Sequence, residues 1–252
     1  MRSIIFACLL FVFLYGHSKK PYIQKGQKGH NVSWELIWHD EFNNPKTIDN
    51  NWISENKAPT HIISSRWREN ISTEKGTLKI NNKKEKRGER EWTSGSITCK
   101  EQFCYGYFEC RMKISAATGL NNSFWFYQWT PSKVSHAFEI DVVEAHYPNK
   151  IQTNVHDCGT ISDKYRVQDP KKFIPKVNNL SDGYHIYGMW WTKNKIYFYF
   201  DGQLVRNIDN NTCHQKANMV LGTAVMPWAG AVTDDIDGTS MTVDYVRVWQ
   251  QK

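Results

Sequence analysis

From Trp34 to Trp249 the sequence breaks into about a dozen short runs of aromatic and β-branched residues separated by turn residues. It carries no internal repeat and no strong amphipathic helix. Nothing else in the chain restricts its fold as tightly, because runs this short bury apolar side chains only by pairing into sheets that then stack face to face. They include Trp34 to Trp38, Leu78 to Ile80, Ser94 to Cys99, Tyr105 to Ile114, Ser123 to Trp129, Phe138 to Tyr147, Thr153 to His156 and Tyr184 to Trp191. Lys195 to Phe200 and Gln203 to Val205 flank Asp201-Gly202, a two-residue hairpin turn. Met219 to Ala224 and Met241 to Trp249 close the series. With 11 Trp, 12 Tyr and 12 Phe, the composition suits strands and stacking surfaces rather than helix bundles. The expected fold is all-β, a sandwich of antiparallel sheets in one domain spanning residues 34–252.

Ahead of this domain, Met1-Arg2-Ser3 and the apolar run Ile4 to Gly16 have the form of a secretory signal peptide, residues 1–18. The run is too short to span a membrane comfortably, so secretion is expected. Residues 19–33 are polar, rich in Lys and Gly, and read as an N-terminal tail. The formal charge is +7, falling to +6 once Arg2 leaves. No basic helix or nucleic-acid motif accompanies it, so a polyanionic extracellular substrate is the better match. Cys99, Cys104, Cys110, Cys158 and Cys213 remain, an odd number without Cys-x-x-Cys spacing. That argues against structural zinc, and no disulfide is assigned. The chain is expected to act as a monomer.

The run Phe138-Glu-Ile-Asp-Val-Val-Glu-Ala-His-Tyr147 holds the candidate chemistry. Alternation along a strand puts Glu139 and Asp141 on one face and Ile140 and Val142 on the other. It would also turn Glu144 the wrong way, unless a β-bulge at Val142 or Val143 returns it to the acid face. Three carboxylates on one face raise one another's pKa values. Glycoside hydrolysis uses such a setting: one carboxylate attacks while another carboxyl still holds a proton. An exposed strand facing lysines or solvent would carry the same pattern.

Trp38-His-Asp-Glu-Phe42, Thr93-Ser-Gly-Ser-Ile97, Phe103-Cys-Tyr-Gly-Tyr-Phe-Glu109, Phe124-Trp125, Glu139-Ile-Asp-Val-Val-Glu144, Tyr184-His-Ile-Tyr-Gly-Met-Trp190, Phe200-Asp-Gly202 and Asp244-Tyr-Val-Arg-Val-Trp249 stand in order along the chain. The set resembles glycoside hydrolase family 16 from about Trp34 to Trp249. The resemblance implies a jelly-roll β-sandwich of two curved antiparallel sheets with a polysaccharide cleft on the concave face. It also implies Glu139 as nucleophile, Glu144 as general acid/base, Asp141 as the anion between them that tunes protonation, and retention of anomeric configuration. No cofactor is expected for catalysis. A structural calcium far from the acids, as in many members, would take oxygens from Glu41, Asp244 and the carbonyl of Gly76.

For substrate, Val143 stands where β-1,3-glucan-cleaving members commonly have Met. The segment Ser64-Ser-Arg-Trp-Arg-Glu-Asn70 looks like the cleft-lining segment of the family's red-algal galactan hydrolases. Arg66 and Arg68 are candidates for pairing with sulfate, and Trp67 for stacking on a sugar; an ordinary arginine pair on a strand edge is the other reading. Plain strand geometry would turn Trp67 away from both arginines. Alternation places Trp125, Tyr127 and Trp129 on one face of their strand; by resemblance Trp125 lies beneath the sugar at the cleavage point, and Trp129 is either a sugar platform or part of the core. Trp228 lies in a loop that could wall the cleft. His156 follows on the next strand and by resemblance reaches the acid/base residue, whereas His146 is assigned no role. A secreted endo-acting hydrolase of β-linked, sulfated galactan is the reading these residues favour. A β-1,3-glucanase, a transglycosylase using the same acids and a non-catalytic carbohydrate-binding jelly roll are the alternatives.

Overall fold

The computed structural model describes residues 20–133 and 135–252, so the signal-peptide reading of residues 1–18 lies outside the described residues. The strands are β1 (Trp34–Asp40), β2 (Trp52–Ser54), β3 (Ser64–Arg66), β4 (Ile71–Glu74), β5 (Thr77–Asn81) and β6 (Trp92–Ser94). There follow β7 (Ser96–Phe103), β8 (Gly106–Lys113), β9 (Leu120–Gln128), β10 (Phe138–His146), β11 (Lys150–Asp157) and β12 (Val167–Gln168). The last are β13 (Lys171–Phe173), β14 (His185–Trp191), β15 (Lys195–Phe200), β16 (Gln203–Asp209), β17 (Ala217–Val225) and β18 (Ser240–Gln251). A short α-helix, α1 (Thr47–Asn51), interrupts them near the start.

Two antiparallel sheets stack as expected, in a jelly-roll sandwich. The back sheet runs β16-β15-β14-β8-β18-β5-β4, with β1 also paired to the long β18. The second sheet runs β12-β11-β10-β9-β17-β7-β2, with β13 also on β11, and carries the cleft on its outer face. Between them lies an aromatic core. Phe108 of the back sheet meets Phe126 of the cleft sheet edge to face, centroids 4.8 Å apart, and Phe124, Phe138 and Trp191 close around them. Such pairs stabilise by about 1 kcal/mol beyond their buried area. Alternation on β9 does the rest. Phe124 and Phe126 are fully buried in this core, while Trp125, Tyr127 and Trp129 line the outer face.

Residues 20–33 are not a free tail. Ile23 packs into a second apolar cluster with Trp34, Tyr107, Trp190, Tyr199 and Trp249 on the outer face of the back sheet. The Tyr22 amide donates to the buried Glu109 carboxyl (2.8 Å), and the Tyr199 hydroxyl donates to the Lys28 carbonyl (2.8 Å). Sequence polarity conceals this because only Ile23 and Val32 supply apolar anchors there. The five cysteines are all free thiols.

The residues expected to hold calcium do not fit one. Both Glu41 oxygens accept from Arg247, at 2.9 Å each, and Asp244 accepts from Arg111 at 2.6 Å. Arginine already neutralises each carboxylate, so a cation there would have to displace a guanidinium from two well-formed charge-assisted bonds. Accordingly, neither a chelator nor added calcium should move the melting temperature. A rise with calcium that is reversed by chelator would show that a calcium site exists after all.

Candidate active site

The bulge expected in β10 is present. Against β9, Asp141 faces Trp125 but Val143 faces Phe124, so Val142 is the extra residue. Against β11, Asp141 faces Asn154 and Glu144 faces Gln152, two positions against three. Val142 and Val143 both bury into the apolar core, and the shifted register brings Glu144 to the same cleft as Glu139 and Asp141. Sequence made this legible because two β-branched residues between acids leave the extra residue nowhere else to go.

The cleft holds about 640 Å³. Beyond the acids its walls are aromatic. Trp125 and Tyr127 lie 5.3 Å apart and Tyr127 stacks on Trp129 at 5.5 Å, while Trp228 stands at another part of the rim. Cations share the lining: Lys57, Arg66 and Arg166, with His61. Of the arginine segment only Arg66 reaches the cleft, and it is ion-paired there to Glu55 at 2.7 Å. Arg68 instead clasps Asp49 of α1 with two bonds of 2.8 and 2.9 Å and donates to the Ile71 carbonyl. The Trp67 ring is covered by the Arg87 guanidinium at 4.0 Å, and its indole nitrogen donates to Ser65. Trp67 and Arg68 therefore leave the set of sugar contacts. Extended backbone at Trp67, followed by the short helical turn Arg68–Asn70, sends them elsewhere.

Each acid sits in a different environment. Glu144 accepts from the Asn121 amide at 2.9 Å and the Gln152 amide at 2.8 Å, one on each oxygen, which fixes its direction. Asn121 is held in turn by His146, whose Nε2 lies 3.2 Å from the Asn121 oxygen and whose ring meets Trp228 edge on. Burial first, then Lys150 and Lys172, pushes His146 down to about 4, so it is a neutral donor at ordinary pH. His146 thus acquires a place that the sequence left open. His156 contacts Glu139 at 3.1 Å and Asp141 at 3.2 Å, not Glu144 as the resemblance implied. Pairing explains the difference, since His156 stands directly opposite Glu139 in the ladder.

Arg166 is the functional candidate that the sequence concealed. It lies in an aperiodic connection, just before β12, with its guanidinium 3.4 Å from Glu139 and 3.1 Å from His156. Glu139, Asp141 and His156 offer ligand atoms within 4.8 Å of one another, close enough to chelate. The positive charge that a metal would bring is already supplied there by Arg166.

All three carboxyls are pushed upward, burial being the largest cause for each. Glu139 rises to about 7, with Asp141 and Glu144 adding to burial and His156 and Arg166 opposing it. Asp141 is the most enclosed and rises well above the carboxylate range, with Glu144 contributing and Arg166 opposing. Its surroundings thus work against the charge that the resemblance implied for it. Burial and mutual repulsion work against all three groups being charged at once.

This has a consequence for stability. A folded-state pKa raised above the unfolded value contributes stability below the unfolded value and loses it as pH rises through the folded one. For Glu139 that window runs from about 4.5 to about 7. Replacement Glu139→Gln should leave the melting temperature unchanged near pH 4. Near pH 8 it should raise it by about 5 °C, from about 2 kcal/mol of relieved anion burial. Equal melting temperatures at both pH values would show that Glu139 ionises freely.

Residues 34–251 match the GH16 domain of beta-porphyranases A–D. Kappa-carrageenase of Pseudoalteromonas carrageenovora is 28% identical over 256 residues, 83% of this chain and 62% of the relative. Endo-1,3-1,4-beta-glycanase EglC of Rhizobium meliloti is 33% identical over 165 residues, 63% of this chain and 34% of the relative. The chain thus spans between about a third and three-fifths of these curated relatives. Porphyranase B from Zobellia galactanivorans superposes with a TM-score of 0.78 at 20% identity, covering 91% of this chain and 98% of that structure. Matched from its first sheet strand to its last, and carrying three acids on one bulged strand, the chain belongs to glycoside hydrolase family 16.

Proposed function

We propose that the protein is a secreted, endo-acting, retaining hydrolase of β-linked galactan bearing sulfate. What carries this reading is the cleft's charge outside the acids. Lys57, Arg66 and Arg166 line it against the single anion Glu55, leaving a net attraction for a polyanion in the groove where the bond would be cut. Aromatic platforms on more than one part of the rim suit a polymer threading through over a chain end docking in a pocket. Similarity to a kappa-carrageenase and a porphyranase points the same way.

In the proposed reaction Glu139 attacks the anomeric carbon while the bond to the leaving oxygen breaks and takes the Glu144 proton. A glycosyl ester results. Water then attacks the same carbon, Glu144 takes its proton, and Glu139 is released as carboxylate. The amides of Asn121 and Gln152 hold Glu144 towards the leaving oxygen through both steps. Glu139→Gln and Glu144→Gln should each lower turnover by several orders of magnitude without unfolding the chain. The second reading, a β-glucan hydrolase, is favoured by the similarity to EglC.

Sizing the products from agarose, porphyran, κ-carrageenan, furcellaran and laminarin separates the readings. A sulfated galactan should be cut fastest, with KM rising as salt is added. Lys57→Met should raise KM about threefold on the sulfated polymer and leave it unchanged on a desulfated one, since Lys57 is exposed and its ion pairs are screened. Fastest cleavage of laminarin would overturn the galactan reading.

A further inference from the structure

We propose that Arg166 sets the tautomer of His156, and through it the charge of Glu139, making this exposed arginine a positioning residue for the nucleophile. The inference deepens the reading of Glu139 as nucleophile and rests on it.

Two nitrogens of Arg166, Nε and Nη2, approach His156 Nδ1 at 3.2 and 3.1 Å. A guanidinium has donors and no acceptor, so Nδ1 must accept. A neutral imidazole carries one proton, which therefore resides on Nε2. That N–H faces Glu139 Oε1 at 3.1 Å and Asp141 Oδ2 at 3.2 Å, two acceptors. The opposite tautomer would set a ring N–H against two arginine N–H groups and a lone pair against two carboxyls. Four contacts of the ring would then be repulsive, and only the Asn154 amide nitrogen, 2.9 Å from Nε2, would meet a lone pair there.

This tautomer requires Asn154 to turn its amide over. Its Nδ2 is placed 2.9 Å from His156 Nε2, and its Oδ1 is buried without a partner. An amide can present either end, whereas an arginine cannot. With the oxygen turned to Nε2–H, Asn154 Oδ1 gains the partner it lacks.

The tautomer matters because Glu139 must be an anion to attack, although burial disfavours one. Facing it are Asp141 and Glu144 from its own strand, His156 from β11, and Arg166 and Cys158 from the connection. Burial also drives His156 towards its neutral form, so the ring helps Glu139 only as a donor. Arg166 makes it one. It also adds its own charge at 3.4 Å. With its side chain 57% exposed, Arg166 can be replaced without opening the core.

The test uses the whole protein labelled with ¹⁵N, reading ring tautomers from two-bond ¹H–¹⁵N spectra and assigning His156 by its loss in a His156→Gln variant. The wild type should show Nε2–H, and Arg166→Met should populate Nδ1–H. In parallel the acidic limb of kcat/KM should move up by about one pH unit in Arg166→Met, about tenfold lower activity below the limb. Arg166→Lys, which keeps the charge and donors without the fork, should fall between. A wild-type Nδ1–H ring would overturn the proposal. So would an Arg166→Met enzyme with lower activity at every pH and an unmoved limb, because that marks a merely structural role. If Glu139→Gln kept its turnover, the nucleophile half of the proposal would fall, and the ring spectrum would still decide the tautomer half.

Discussion

Three carboxyls buried side by side repel one another and resist ionisation, and the rest of the site answers that problem. Val142 creates it by adding one residue to β10, which turns Glu144 onto the face already occupied by Glu139 and Asp141. In an unbulged strand Glu144 would point into the core with Ile140 and Val142, a placement with no partner for its charge. With it, the strand commits two valines to the apolar core on one side and three acids to the cleft on the other.

The surrounding strands are arranged to make that cluster tolerable and useful. On β9 and β11, flanking β10, stand the polar side chains that the acids need: Asn121 and Gln152 for Glu144, His156 for Glu139 and Asp141. Each stands near its partner because antiparallel register puts facing residues within a few ångströms. Behind them the aromatic core, with Phe108 against Phe126, sets the spacing of the two sheets. A second layer holds the first, as His146 orients Asn121 and Arg166 meets His156. Mispositioning at any of these would alter the proton distribution among the acids before it altered the fold.

What was legible in the sequence divides along the range of the interactions. Strand runs, the bulge and the outward row Trp125, Tyr127 and Trp129 follow from two-residue periodicity, a local rule that survives folding. Arg68 was misplaced because its partner Asp49 lies on a single-turn helix that no periodicity announces. The calcium ligands failed for a similar reason. Arg247 lies 206 positions from Glu41, and Arg111 lies 133 from Asp244, so their ion pairs exist only through strand pairing. Arg166 escaped notice because it sits in a polar connection whose residues are not constrained by packing on either face. His156 was placed on the correct strand, but which acid it touches depends on a register that the bulge itself shifts.

The acids and the rim of the cleft come from separate stretches of chain. β10 supplies every carboxyl of the cluster, while the segment from Glu55 to Arg66, the connection carrying Arg166 and the turn at Trp228 supply much of the rim. A replacement at the acid cluster and one at these parts of the rim therefore fall on different segments of the chain. The scaffold is in that sense modular without containing modules: the acids share one strand of the sheet, and much of the rim is assembled from segments at its edge.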